Sequence, residues 1–272
     1  MFRNPRKINK IWALLIAFAV AGPAWADTGP VPLDDLKALR AEEVDQAVKV
    51  GVEIRRDALR EAALSLGARG GLANRTYEIR QEIAKFEGVL DRVFDFRGLL
   101  IAAPSGLLME PPVIGESRDA LAVEVTGQAA ALADRIYEIG KVARIVTTPR
   151  DWRAYLEREW SRVDPPPGLL RPKTDEEAVE WSEWIEAGWK AGVAQATDIF
   201  QADMDRLSRD FTGMIRYRML LAQGMVSAPF ADSMALGITG GGRQMRINEK
   251  MVRITGSSVL DTEASRWNPA DR

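Results

Sequence analysis

The sequence predicts an α+β protein, predominantly α-helical with short antiparallel β-hairpins. Two patterns point there. A long run from Thr174 carries apolar residues at steps of three and four, and the stretches around 99–147 and 244–255 carry short apolar runs broken by Gly and Pro.

The first 26 residues have the layout of an export signal. Arg3, Arg6, Lys7 and Lys10 precede an unbroken apolar run from Ile11 to Ala21, which Gly22 and Pro23 end. Ala24-Trp25-Ala26 places small residues where signal peptidase reads them, so cleavage is expected between Ala26 and Asp27. The apolar run is shorter than the roughly 20 residues that span a bilayer. The expected organisation is therefore a signal peptide, 1–26, and one periplasmic domain, 27–272. Loss of the four basic residues takes the formal charge from −2 to −6, which argues against a broad nucleic-acid surface.

Leu36, Leu39, Val44, Val48, Val52, Leu59, Ala62 and Leu66 recur mostly at helical spacing and predict a helix over Leu33 to Leu66. Gly67 and Gly70-Gly71 are expected to end it. Asn74 is expected to cap a second helix from Arg75 to about Val93. Leu99 to Ile101 and Leu107 to Met109 read as two strands about Pro104-Ser105-Gly106, and Ala120 to Val125 as a further strand. Arg135 to Thr147 reads as a hairpin turning at Gly140-Lys141, while Gln128 to Asp134 fits helix or strand. Pro149 to Trp152 opens a short helix towards Trp160, and Pro165 to Gly168 is a stiff linker. Thr174 with Glu177 forms a capping box for the longest helix, which runs to about Gln223 and stops at Gly224. Unbroken, it measures about 70 Å, with Gly188 and Gly213 as the points where a break is the alternative. Gly188, Gly192 and Ala196 put small residues on one face of it and mark a close crossing. Gln244 to Ile247 and Met251 to Thr255 are expected to form a hairpin about Asn248-Glu249-Lys250.

The chain has no histidine and no cysteine. Imidazole catalysis, His-ligated metal or heme, disulfides and lipid attachment at an N-terminal cysteine of the mature chain are thereby excluded. Ser105 lies in neither a nucleophile elbow nor an S-x-x-K pair, and reads as a turn serine. Gly240-Gly241-Gly242-Arg243 lacks the lysine and hydroxyl of a P-loop. Asp175, Glu176, Glu177 and Glu180 suit a helix first turn better than a cation site, because consecutive helical residues diverge. No catalytic residue, cofactor or metal site is therefore expected. The rival is a glycan-cleaving enzyme with a carboxylic acid such as Glu157, although neighbouring Arg158 favours its charged form. Trp152, Trp160, Trp181 and Trp184 are candidate partner contacts, with core packing as the ordinary alternative for each.

Several stretches in order resemble one family. They are LREAALSLGARGGLANRT at Leu59 to Thr76, LDRVFDF at Leu90 to Phe96, PSGLLMEPPVI at Pro104 to Ile114 and RIVTTPRDWRAYL at Arg144 to Leu156. The stretches Glu183 to Pro229 and Gly237 to Thr255 complete the series. Together they resemble the DotC proteins of type IVB secretion and related conjugation systems. The resemblance implies a non-catalytic structural subunit of an outer-membrane and periplasmic core complex, beside a DotD-like lipoprotein and a larger DotH-like subunit that it helps place at the outer membrane. A transient assembly chaperone is the remaining alternative. The family's lipobox cysteine is absent here, so partners would have to hold the chain at the outer membrane.

Overall fold

The computed structural model describes residues 29–41, 52–123 and 130–268. The expected signal segment, with Ala24, Ala26 and Asp27, lies outside them. The α+β class holds: helices alternate with two- and three-stranded antiparallel sheets.

The spine is α5, Asp175–Ala222, 48 residues without a break. Its start follows the sequence signal. The Thr174 side chain accepts from the Glu177 amide at 3.2 Å, which satisfies a first-turn donor, and the Glu177 carboxylate accepts from the Lys173 amide just before the cap at 2.7 Å. At the other end Gly224 takes φ 71°, the left-handed conformation that glycine adopts without strain. The acidic first turn does more than offset the helix dipole. Glu177 pairs with Arg55 at 2.8 Å and Glu180 with Arg56 at 2.6 Å, both cations from α2.

α2, Val52–Ala84, lies along the spine. Here the structure corrects the sequence reading: Gly67, Gly70 and Gly71 sit inside one continuous helix and end nothing. Asn74 caps nothing and bonds forward to Glu78 at 2.6 Å. The reason is tertiary. A Cβ on Gly67 would strike the Ile185 carbonyl, and one on Gly71 the Trp189 carbonyl. From the facing helix, a Cβ on Gly188 would strike the Leu64 carbonyl, and one on Gly192 the Ala68 carbonyl. Four glycines thus let two backbones touch, and the packing gained outweighs the poor helix propensity of glycine. The helix bends off only at Lys85-Phe86, and α3, Glu87–Val93, follows.

The expected helix from Leu33 is also interrupted. α1, Leu33–Lys37, stops because the Leu36 carbonyl accepts the Trp181 indole N–H at 3.1 Å in place of a next-turn amide. Residues 42–51 of the expected helix lie outside the described residues.

β1, Ile101–Ala102, and β2, Leu108–Glu110, pair antiparallel about the predicted Pro104–Gly106 turn. β3, Val113–Val123, pairs along its length with β4, Ala130–Lys141. The expected 135–147 hairpin does not form. Gly140 is a bulge opposite Val113 and Ile114, Val142-Ala143 carry the chain across, and β5, Arg144–Val146, joins β2 in the other sheet. α4, Arg153–Leu156, packs on the spine. Last come β6, Phe230–Gly241, and β7, Gln244–Gly256. Their turn falls at Gly242-Arg243. Asn248, expected in the turn, is instead a positive-φ residue at an irregularity within β7.

Three apolar clusters line the spine in succession. Trp181 and Ile185 meet Leu36, Leu59 and Leu66. Leu207 and Met214 meet Phe96, Trp152 and Leu156. Tyr217 and Leu220 meet Ile114 and Val226. No helix among the described residues is long and apolar enough to cross a membrane.

Candidate functional site

The four candidate tryptophans separate. Trp152 is buried, donates its indole N–H to Asp91 at 2.7 Å and lies under the Arg153 guanidinium at 4.3 Å. Trp181 is buried in the α1–α2–α5 cluster with its N–H satisfied, as above. Both pack in the core of this chain. Trp184 is half-buried at the edge of the same cluster. Trp160 is half-buried and edge-on to Tyr77, ring centres 5.3 Å apart. The structure thus brings Trp181 and Trp184 together and leaves the other two apart.

Sequence reasoning missed the densest polar constellation, an ion network joining β2, β5, α4 and the spine. Its acids are buried: Glu110 from β2 and Asp210 from α5. Arg150 bridges them, with Nη2 to Glu110 at 2.6 Å and Nη1 to Asp210 at 2.8 Å. Arg144 reaches Glu110 at 2.5 Å, because β2 and β5 pair those two residues directly. Lys141 reaches Asp210 at 2.6 Å, and the Tyr155 hydroxyl donates to Asp210 at 2.8 Å. Two turns earlier on the spine, Asp203 accepts from Arg158 at 2.5 Å and from Arg206 at 3.0 Å. Arg150 and Arg206 both lie over the Tyr155 ring, at 5.8 and 5.6 Å.

A signal for this network was present in the apolar stripe of α5. Asp203, Leu207, Asp210, Met214 and Tyr217 follow at steps of three and four, so two carboxylates stand on the buried face. A buried carboxylate needs cations and donors around it.

The electrostatics decide what the network can do. Burial pushes the Glu110 pKa up, but the Arg150 and Arg144 guanidinium groups outweigh burial and hold it below the usual range. Asp210 behaves alike: burial raises it, while bonds from Lys141 and Tyr155 and the charges of Lys141 and Arg150 bring it down. Burial, with the Asp210 acceptor, pushes the Tyr155 phenol up to about 12 against the pull of Arg150. Carboxylates held ionised and a phenol held protonated make a clamp, not a proton relay. Glu157, the candidate general acid, is exposed and 3.6 Å from Arg153. Among the described residues no group of three or more Asp or Glu is placed to hold a metal ion.

The β6–β7 hairpin is the other distinctive feature. It stands largely clear of the body, and near its tip Ile238, Met245 and Ile247 are 69, 68 and 65 % exposed. Thr239 and Arg246 pair across the strands and Gly240 pairs with Met245, so these three apolar residues alternate away from Thr239 and Arg246 onto one face. An isolated two-stranded hairpin is marginal in water, and these apolar side chains gain little burial from the rest of the described residues.

These features define a class: a helix-pair scaffold, clamped by buried ions, from which hairpins project. A family model described as "Type IV secretory system, conjugal DNA-protein transfer" matches residues 53–269. The chain belongs to that family. No curated protein matches it.

Proposed function

We propose that the chain is a non-catalytic structural subunit of the outer-membrane and periplasmic core of its type IV machine, equivalent to the DotC proteins it resembles. The observation that carries this reading is the combination of a rigid glycine-packed spine with a projecting hairpin whose apolar tip is bare. A spine of about 70 Å sets distances between neighbouring subunits. The open strand edges of the hairpins suit addition to a neighbour's sheet. In a ring, repetition of one modest contact gives avidity. The basic n-region, apolar run and Ala24-Trp25-Ala26 support passage to the periplasm, where a larger DotH-like subunit and a DotD-like lipoprotein would be the partners. With no cysteine to carry lipid, those partners supply the hold on the outer membrane.

Fractionation followed by affinity purification tests this. The expected result is recovery in the outer-membrane fraction, starting at Asp27, in stable association with the larger core subunit through extensive washing. Recovery as a soluble monomer without partners, association only during assembly, or cell-wall degradation by the purified protein would contradict it.

A further inference from the structure

The ion network carries more positive charge than its own acids use. Five cations, Lys141, Arg144, Arg150, Arg158 and Arg206, meet three acids, Glu110, Asp203 and Asp210. Two positive charges remain over, on a chain whose overall formal charge is −2. The excess faces an open depression of about 580 Å³, lined by Lys141, Arg144, Thr148, Arg150 and Arg206 with the buried acids at its floor.

Donor geometry locates the excess. Arg144 spends only Nε on Glu110, and Arg206 only Nη2 on Asp203. Their remaining guanidinium N–H groups have no acceptor among the described residues, and both side chains are about half exposed. Neither guanidinium is a loose surface group. Arg144 is fixed by strand pairing to a buried acid, and Arg206 by Asp203 and the Tyr155 ring. Two pre-positioned guanidinium groups with spare donors match carboxylates, which arginine takes in bidentate fashion. The forks come from different elements, β5 and α5, and flank a shallow opening, not an enclosed pocket. That shape accepts side chains presented by another protein.

We infer that this depression is a docking site for an acidic segment of a partner protein, in which Arg144 and Arg206 each receive a carboxylate. The inference rests on this local chemistry and stands whether or not the chain works in an outer-membrane core.

The two arginines can be removed without stripping a buried acid of its last cation, since Glu110 keeps Arg150 and Asp203 keeps Arg158. The test is calorimetric titration of the purified chain with a blocked peptide of alternating Glu and Gly, beside its Gln counterpart, at about 20 mM salt where screening is weak. The expected result is binding of the Glu peptide about tenfold or more tighter than the Gln peptide. That preference should be lost in Arg144→Gln/Arg206→Gln, a loss of about 1.4 kcal/mol or more, and weakened by added salt. Should the double variant melt early, single Arg206→Gln carries the test, with a partial loss expected. Failure of the Glu peptide to bind, or equal binding to wild type and variants, overturns the inference. So does arginine-dependent binding of phosphatidylglycerol vesicles or inorganic phosphate in place of the peptide. A chain that binds the peptide yet purifies without core subunits would leave this site standing and remove the proposed location.

Discussion

Gly192→Val is expected to destabilise the protein by about 3 kcal/mol or more, at the upper end of overpacking effects. Expressed as a melting temperature, that is a fall of roughly 10 °C for a chain of this size. Side-chain rearrangement offers no relief, because the added Cβ meets the Ala68 carbonyl and the Leu72 amide, which belong to the backbone of α2. The helices must separate, and the neighbouring contacts of Gly67, Gly71 and Gly188 open with them. Helix propensity acts the other way, since any residue but proline favours a helix over glycine by up to about 1 kcal/mol. Collision wins because every atom in the crossing is held by packing on both sides. Gly88→Ala is the matched control: it lies in α3, and a Cβ there meets nothing within 4 Å. It should gain stability by up to about 1 kcal/mol. Thermal melts followed by circular dichroism separate the two, and equal shifts would remove the crossing from the account.

Asp210→Asn is expected to cost about 3 kcal/mol, in the range for breaking a buried ion pair. Lys141, about half exposed, can turn to water, but Arg150 is largely enclosed and keeps only Glu110 and Tyr155. The substitution also changes how stability depends on pH. Asp210 and Glu110 both have pKa values depressed by folding. Their stabilisation is complete above the unfolded-chain values, about 4, and is lost as pH falls through the lower folded-state values. Wild-type protein should therefore lose melting temperature steeply below about pH 4. The Asp210→Asn protein has less to lose, so the gap between the two should narrow as acid is added. Melts at neutral pH and in acid check this, and a gap that stays constant would show that Asp210 is not held as a carboxylate.

How much was legible depended on whether the decisive contact was local. The α5 start was, because Thr174 and Glu177 satisfy amides within one turn. Its extent to about Gln223 followed from the apolar stripe, but its continuity did not, since Gly188 and Gly213 were equally readable as breaks until the backbones packed against them were known. The role of Gly188 and Gly192 was also readable as a close crossing. The glycines of α2 were misread because a glycine that ends a helix and one that admits a second backbone look alike until the partner is known. Gly140 and Asn248 posed the same problem in strands, where a bulge and a turn draw on the same residues. The ion network was out of reach of local patterns, its members running from Glu110 to Asp210, although two carboxylates on the buried stripe of α5 foreshadowed it. Two tryptophans that could have faced a partner lie inside because apolar neighbours bury their rings while Asp91 and Leu36 satisfy their N–H groups, partners that no local spacing announces.

The central claim is that this subunit works through contact and not through chemistry. Donor cells carrying Ile238→Ser/Met245→Ser/Ile247→Ser, or Glu157→Gln, in place of the wild-type chain test it by their transfer frequency. The hairpin triple substitution, at three largely exposed positions, should leave the melt unchanged and lower transfer at least tenfold, about 1.4 kcal/mol or more of lost contact, while Glu157→Gln transfers normally. Normal transfer with the altered hairpin, or its loss with Glu157→Gln, would contradict the account.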